Sequence, residues 1–385
     1  MRKIALLGLG LVVAALVALG LVVLSSASQA NALHIHGNIY YFIERQMIYV
    51  GVGLLLGTFF ALVDYRFWRR NAVFVWVALA IVVVLLLAVF LYDPVKGSRR
   101  WIKLGFFNLQ PGELAKLMMV FVMALCMDLA AYRISSAKFG LLIPAGLFAA
   151  LAGPVVLEPD FGSTLVIGAV GLLVMFVAGV RFMHLGVLAL IGATGLGIKV
   201  AMNANRMARI AAWQGTKLNV GAAVADKATD AAGYQVYNAL VAIKNGGLWG
   251  VGLTNSMQKQ YYLPEAHTDF IFAIGAEELG LCYFTLPVII LFILLFICCV
   301  HIALKARDRF GRFLVVGMTF VIFFPAMFNL GVVCQAYPTK GMALPFFSYG
   351  GTNMLSAFVA VGVIMSVGYS TYKESRRRPR GASAA

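Results

Sequence analysis

The chain has 385 residues, of which 62% are hydrophobic and only 12% are charged, and its mean hydropathy is +0.90. A soluble protein carries about 25% charged residues, so most of this surface must face lipid. The net charge of +16 comes from short cationic runs between apolar segments. This distribution argues against a nucleic-acid partner and favours anionic membrane lipids and phosphate-bearing ligands. The five cysteines lie in apolar stretches without the paired spacing of a zinc or redox site, and disulfides are not expected.

The amino terminus has two interpretations. Arg2 and Lys3, an apolar run and a Ser-Ser-Ala-Ser-Gln-Ala segment at 25–30 resemble a secretory signal. However, the run from Ile4 to Leu24 is longer than a signal core of about 7–15 residues and long enough to span a bilayer. A retained first helix is therefore the favoured prediction.

Apolar segments of spanning length recur along the chain, and they predict an all-α polytopic membrane protein of about ten helices. The predicted spans lie near 4–24, 46–63, 71–92, 112–131, 140–157, 163–180, 183–200, 269–301, 313–334 and 351–371. The eighth is unusually long, and we expect it either to tilt or to have a separate short first portion.

Lysine and arginine in the short loops predict the orientation of the spans. Most of them fall on the side that carries both termini, so both termini are expected in the cytoplasm. The prediction divides the chain into a membrane domain, 1–372, and a basic, flexible cytoplasmic tail, 373–385. An extracytoplasmic loop of about 201–268 contains glycine-rich and aromatic patches and is expected to be partly ordered.

Ionisable residues at the ends of spanning helices are costly and need a reason. Asp269 opens the eighth span, where the positive end of a helix dipole favours a carboxylate; a purely capping role for Asp269 or Thr268 is the alternative. Glu277 and Glu278 lie about 12 Å deeper, and at least one of them should face the protein interior and find a partner there.

Further charged residues are predicted at the same outer side. Glu113 and Lys116 are three residues apart on one helix, so they either pair with each other or reach an anionic ligand. Arg99 and Arg100 stand beside Trp101, as in a reader of headgroup phosphate or an interfacial anchor.

Two more outer segments complete the candidate site. Asp160 follows the fifth span, and Lys340 precedes a segment at 344–351 whose glycines and proline permit a re-entrant turn. Acids that move a proton and cations that hold phosphate suit transfer from a lipid-linked pyrophosphate donor. No Ser-His-Asp order, phosphate-binding glycine loop or metal-ligand spacing is present in the sequence.

These segments, in this order, resemble the SEDS family (shape, elongation, division and sporulation proteins) over nearly the whole chain. The resemblance rests on the motifs GSRRWI at 97–102, QPGELAK at 110–116, PDFG at 159–162, GYQ at 233–235, YLPEAHTDFIF at 262–272 and LPFFSYGG at 344–351. PTKG at 338–341 and the acids at 265, 277 and 278 favour a division-type member over an elongation-type one.

The resemblance implies a peptidoglycan glycosyltransferase that polymerises lipid II into a nascent glycan strand and releases undecaprenyl pyrophosphate. It implies Asp269 as the general base, and substrate contacts from Arg99, Arg100, Glu113, Lys116, Asp160, Lys340 and Ser348. A divalent cation, Mg²⁺ or Mn²⁺, could share the charge, with no organic cofactor. The implied partners are a class B penicillin-binding protein, which crosslinks the product, and other division proteins.

The sequence departs from the family pattern at a few positions. Glu158 replaces a usual Gln, Gly112 a usual Ser, Thr254 a usual Gly, and Thr352-Asn353 a usual Ser-Ser pair. None of these removes the expected base, although a charge at Glu158 could alter the pKa of Asp160. A lipid flippase, which would need polar residues across the midplane, and a non-catalytic scaffold are the rival functions.

Overall fold

The computed structural model describes residues 2–93, 99–105, 107–158, 160–218, 231–260, 263–338 and 340–377. Parts of the predicted GSRRWI, PDFG, YLPEAHTDFIF and PTKG motifs, residues 97, 98, 159, 262 and 339, lie outside these ranges, as does most of the predicted tail.

Long apolar helices form the bundle, and all ten predicted spans are present as helices. Their bounds are α1 Arg2–Ala27, α3 Tyr41–Leu62, α5 Ala72–Ala88, α6 Pro111–Leu129, α7 Ile143–Leu157, α8 Phe161–Ala178, α9 Phe182–Ala201, α12 Ile271–Gly280 with α13 Leu286–Lys305, α14 Arg309–Val333 and α15 Gly351–Arg377. A 3-10 turn, Val89–Leu91, extends α5, and a π-helical turn, Lys138–Leu142, precedes α7. Within the described ranges, nine of these spans are long and apolar enough to cross a membrane.

The tenth, α6, is the central helix of the bundle. It carries Glu113, Lys116 and Asp128 and is buried along almost its whole length, packing against α5, α8 and α14. Its charged residues therefore face protein and not lipid, which is the arrangement that makes charge tolerable at membrane depth.

The eighth span has the separate first portion that its length predicted. Helix α12 ends at Gly280, a π-helical turn, Leu281–Thr285, follows, and α13 then continues. Gly280 has a φ of +73°, and a β-carbon there would overlap the backbone of Trp249 and Gly250. The break thus lets the preceding loop lie directly against the helix.

Short elements build the end of the bundle where the candidate site lies. They are α2 Gln29–His36, α10 Ala204–Leu218, α11 Ala231–Gly246, and a two-stranded antiparallel hairpin, β1 Ile102–Lys103 and β2 Asn108–Leu109. A separate short helix, α4 Arg66–Arg70, follows α3. The predicted long loop is partly ordered, as expected, by α10 and α11. At the carboxyl end, α15 continues to Arg377, so the tail predicted to begin at 373 starts as helix.

Candidate active site

Asp269 lies two residues before α12, and this corrects its predicted place at the helix terminus. Phe270, and not Asp269 or Thr268, occupies the N-cap position of α12. The half-buried Asp269 carboxylate lies against Gly341 so closely that a β-carbon at Gly341 would overlap it. Its carbonyl accepts a 2.7 Å hydrogen bond from Asn329 Nδ2, which also donates to the carbonyl of Met342 at 2.7 Å. Asn329 therefore fixes the backbone of Asp269 against the 340–342 segment.

Ser348 holds the same segment from the other side. Its hydroxyl donates to the carbonyl of Thr268 at 2.5 Å and accepts from the backbone N–H of Leu344 at 2.7 Å, and the residue is 1% exposed. Both bonds connect to backbone, which favours a role in positioning Asp269; the predicted substrate contact of Ser348 stays a prediction.

Asp160 is the N-cap of α8 and is almost fully buried. It accepts hydrogen bonds from the N–H and hydroxyl of Ser163 at 3.2 and 2.9 Å and from Gln110 Nε2 at 3.0 Å, and Arg100 Nη1 lies 4.0 Å away. Burial raises the pKa of Asp160, but the positive charges of Arg100 and Lys116 and the bonds from Ser163 outweigh it, and the pKa is lowered. Asp160 is therefore an ionised anchor for Arg100.

Lys340 joins the Asp160 group to Asp269. The Lys340 ammonium lies 5.5 Å from the centre of the ring of Phe161, the residue that follows Asp160 in the chain. Gly341, the residue that follows Lys340, lies against Asp269. Burial lowers the pKa of Lys340 to about 7, although Asp160 opposes the decrease. The structure thus brings the predicted base, an anchored arginine and a titratable lysine to one end of the bundle.

Glu113 and Lys116 form the predicted pair on α6. Lys116 Nζ lies 2.6 Å from Glu113 Oε1, both side chains are buried, and Ser356 Oγ donates to Glu113 Oε2 at 3.1 Å. Lys116 adds positive potential near Asp160, but its own ammonium is neutralised by Glu113.

Arg99 contacts a backbone carbonyl. It is exposed, and its Nη1 donates to the carbonyl of Phe90 at the end of α5 at 3.0 Å. A substrate contact by Arg99 stays a prediction that this conformation does not support.

Glu277 and Glu278 are buried and have the partners that their position predicted. Glu278 pairs with Lys259 at 2.9 Å and accepts from Ser26 at 2.6 Å, while Glu277 accepts from Ser256. Both acids therefore attach the 245–260 segment and α1 to the helix that follows Asp269.

Two residues of the site region were not among the predicted site residues. Arg206 of α10 lies over the Phe161 ring, with its guanidinium carbon 3.6 Å from the ring centre. Glu158, which was predicted only to influence the pKa of Asp160, is 1% exposed, and burial and the nearby charge of Asp160 raise its own pKa to about 8. The basic, amphipathic character of α10 is the one signal that could have indicated Arg206.

Among the described residues, no group of three or more His, Cys, Asp and Glu side chains is placed to hold a metal ion. The donor set at the site, a carboxylate beside a lysine and an arginine, supplies positive charge from the chain itself. It does not fit a resident divalent cation.

The fold and site define a polytopic integral membrane protein that gathers a carboxylate and several cations at one end of its helix bundle. The family model described as "Cell cycle protein" (FTSW_RODA_SPOVE) matches residues 7–373. The chain belongs to this family, which confirms the resemblance seen in the sequence.

Curated relatives and solved structures agree with this assignment. The chain is 35% identical to "Probable peptidoglycan glycosyltransferase FtsW" of Coxiella burnetii, covering 92% of this chain and 94% of the relative. It is 35% identical to "Stage V sporulation protein E" of Bacillus subtilis, with 93% and 95% covered. A chain from a structure described as structural coordination of polymerization and crosslinking by a peptidoglycan synthase complex superposes with a TM-score of 0.73 at 25% identity, covering 95% of this chain and 98% of that one. The rod shape-determining protein RodA of Thermus thermophilus superposes with a TM-score of 0.67 at 26% identity, covering 95% of this chain and 97% of that one.

Proposed function

We propose that this chain is a peptidoglycan glycosyltransferase that polymerises lipid II during septal cell-wall synthesis. The observation that carries the proposal is the placement of Asp269 against Gly341, next to the cations around Phe161. The names of the FtsW relatives support the activity, and the description of the family as "Cell cycle protein" supports the role in division. In this proposal, both termini are cytoplasmic and the site opens on the outer face of the cytoplasmic (inner) membrane.

In the proposed reaction, the Asp269 carboxylate takes the proton from a sugar hydroxyl of the acceptor lipid II. That oxygen attacks the anomeric carbon of the growing strand, and the bond from this carbon to the pyrophosphate oxygen breaks. Undecaprenyl pyrophosphate leaves with the bonding electron pair. General-base assistance of this kind contributes about 10²–10⁴-fold.

The cations of the site stabilise the charge that develops on the leaving pyrophosphate. Lys340 is adjacent in sequence to the glycine that contacts Asp269, and Arg100 is oriented by Asp160. The donor set of the site does not fit the predicted divalent cation, so no step of this mechanism passes through one.

A class B penicillin-binding protein is the proposed partner, since it would crosslink the strands that this chain makes. The similarity to a chain of a peptidoglycan synthase complex supports this pairing. Other division proteins are proposed as further partners because the family is described as "Cell cycle protein".

The buried acids argue against a flippase. A transport path needs polar side chains available across the midplane, whereas Glu277 and Glu278 are bonded to Ser256 and Lys259. An elongation role remains the alternative within the same chemistry, because RodA shares the fold.

The test is polymerisation of lipid II by the purified full chain together with its transpeptidase partner. We expect Asp269→Asn to lower the rate of glycan formation by at least about 10²-fold with an unchanged unfolding temperature. The matched control is Asp93→Asn, which neutralises an exposed acid beyond the end of α5. Equal rates for the two variants would remove Asp269 from the mechanism.

A further inference from the structure

Two cationic side chains, those of Arg206 and Lys340, lie close to the ring of Phe161. The guanidinium of Arg206 lies 3.6 Å from the ring centre and the ammonium of Lys340 lies 5.5 Å from it. Arginine stacks on aromatic faces while its N–H groups remain able to donate in the plane of the guanidinium. The ring therefore orients Arg206 without using up its hydrogen-bonding capacity.

Helix α10 delivers Arg206 to this ring and is itself attached to the segment that leads to Lys340. Trp213, about two turns after Arg206, donates from its indole Nε1 to the carbonyl of Gln335 at 3.0 Å. One guanidinium nitrogen of Arg206 also lies 3.4 Å from the carbonyl of Lys199 at the end of α9. Arg206 is thus held in place by its own helix, by the ring and by the preceding turn.

Positive charge exceeds negative charge around this ring. Burial, Arg100 and Arg206 lower the pKa of Lys340, whereas Asp160, which raises it, is already bonded to Ser163 and Gln110. Among the ion pairs of the described residues, none joins Arg206 to a carboxylate. Like charges held together cost free energy unless an anion lies between them, so this arrangement favours the binding of an anion.

We propose that Arg206, stacked on Phe161, is a binding residue for a phosphate of the polyprenyl pyrophosphate, and that together with Lys340 it makes the site prefer pyrophosphate over monophosphate. This inference rests on the proposed function for the identity of the ligand. Two cations on one ring can each take one phosphate, and a planar guanidinium can bind phosphate oxygens in bidentate fashion. A ligand with a single phosphate can engage only one of them at full strength.

The test measures binding of undecaprenyl pyrophosphate and of undecaprenyl monophosphate to the purified full chain in lipid nanodiscs. The wild-type chain should prefer the pyrophosphate by about tenfold or more. Arg206→Gln should bring the ratio of the two dissociation constants close to one, mainly by weakening the pyrophosphate. Arg206→Lys should keep the charge but lose the planar fork, and so give an intermediate ratio.

The matched control is Arg209→Gln, which removes one exposed positive charge from the same helix, about one turn further on. It should leave the ratio at the wild-type value. An unchanged ratio in Arg206→Gln would overturn the proposal, because it would show that Arg206 does not contact the phosphate. An equal reduction in Arg209→Gln would also overturn it, because it would show that only the overall positive potential of the helix matters.

This measurement is separate from the test of the proposed function. Binding is read without turnover, so a chain that binds pyrophosphate with the expected preference but makes no glycan would refute polymerisation and leave the Arg206 site intact. Conversely, active polymerisation with no loss of preference in Arg206→Gln would refute only the Arg206 site. A comparison of thermal unfolding identifies any variant whose binding is lost through misfolding.

Discussion

Gly341→Ala is the substitution that tests the geometry of Asp269 most sharply. A β-carbon at Gly341 would overlap the Asp269 carboxylate, with the two carboxylate oxygens and the carboxylate carbon as its nearest neighbours. The φ of Gly341 is not positive, so alanine can adopt the same backbone conformation. Because Asn329 holds the backbone of Asp269, the added methyl group must be accommodated by a shift of the Asp269 carboxylate.

We expect Gly341→Ala to lower the catalytic rate and to leave the stability of the fold unchanged. A displacement of a catalytic group by about 1 Å lowers the rate by about 10²-fold, which corresponds to about 2.7 kcal/mol of transition-state stabilisation. We expect Gly341→Ala to reduce kcat for lipid II polymerisation by this factor, with little change in KM and in unfolding temperature.

The control for this substitution is Gly350→Ala, nine residues further along the chain. A β-carbon at Gly350 would meet its nearest neighbour, Asn353, at 3.7 Å, which is an ordinary contact. Initial rates of glycan formation from defined lipid II compare the two variants. If Gly341→Ala kept a kcat within about threefold of Gly350→Ala, the carboxylate would not need its present position, and the reasoning from this contact would fail.

Two further predictions concern pH and backbone strain. Lys340 loses its charge as the pH rises through about 7 and Glu158 gains a negative charge near pH 8, so the KM for lipid II should rise between pH 6 and 9. Lys340→Arg should remove the first part of this rise and Glu158→Gln the second; a wild-type profile in both variants would contradict the assignment. Thr254 has a φ of +70°, which costs about 1–2 kcal/mol outside glycine, so Thr254→Gly should raise the unfolding temperature measured in detergent. Thr254→Ala retains the strain, and an equal gain in that control would exclude backbone relief as the cause.

The positions of the spans could be read from the sequence because the bilayer imposes a single requirement on each. About 20 apolar residues must bond their own backbone, and this gave all ten helices, including the interrupted eighth. Even α6 was predicted from its apolar length, and pairing was one of the two interpretations given to Glu113 and Lys116 at its start.

The corrections fall where long-range contacts decide the outcome. The motif around Asp269 looked like a helix start, but Phe270 caps the helix and the carboxylate lies against Gly341, 72 positions later in the numbering. Sequence proximity carries no information about such a contact. Likewise, the need of Glu278 for a partner was predictable, whereas the identity of that partner, Lys259, depends on how the loop before α12 folds back.

Arg206 was missed for a related reason. It lies in the long segment between two spans, where cations say little about topology, and nothing in its neighbourhood pairs it with Phe161. Only the folding of α10 over the start of α8 makes that pair.

The most direct test of the central claim is a single-turnover measurement of undecaprenyl pyrophosphate release by the wild-type chain and by Asp269→Asn. Enzyme preloaded with a labelled lipid-linked donor is mixed with excess acceptor lipid II, so the rate of the first release reports the bond-breaking step. The account predicts rapid release by the wild type and a decrease of at least about 10²-fold in the variant, with lipid II still bound. Release by Asp269→Asn at a rate close to wild type would contradict it.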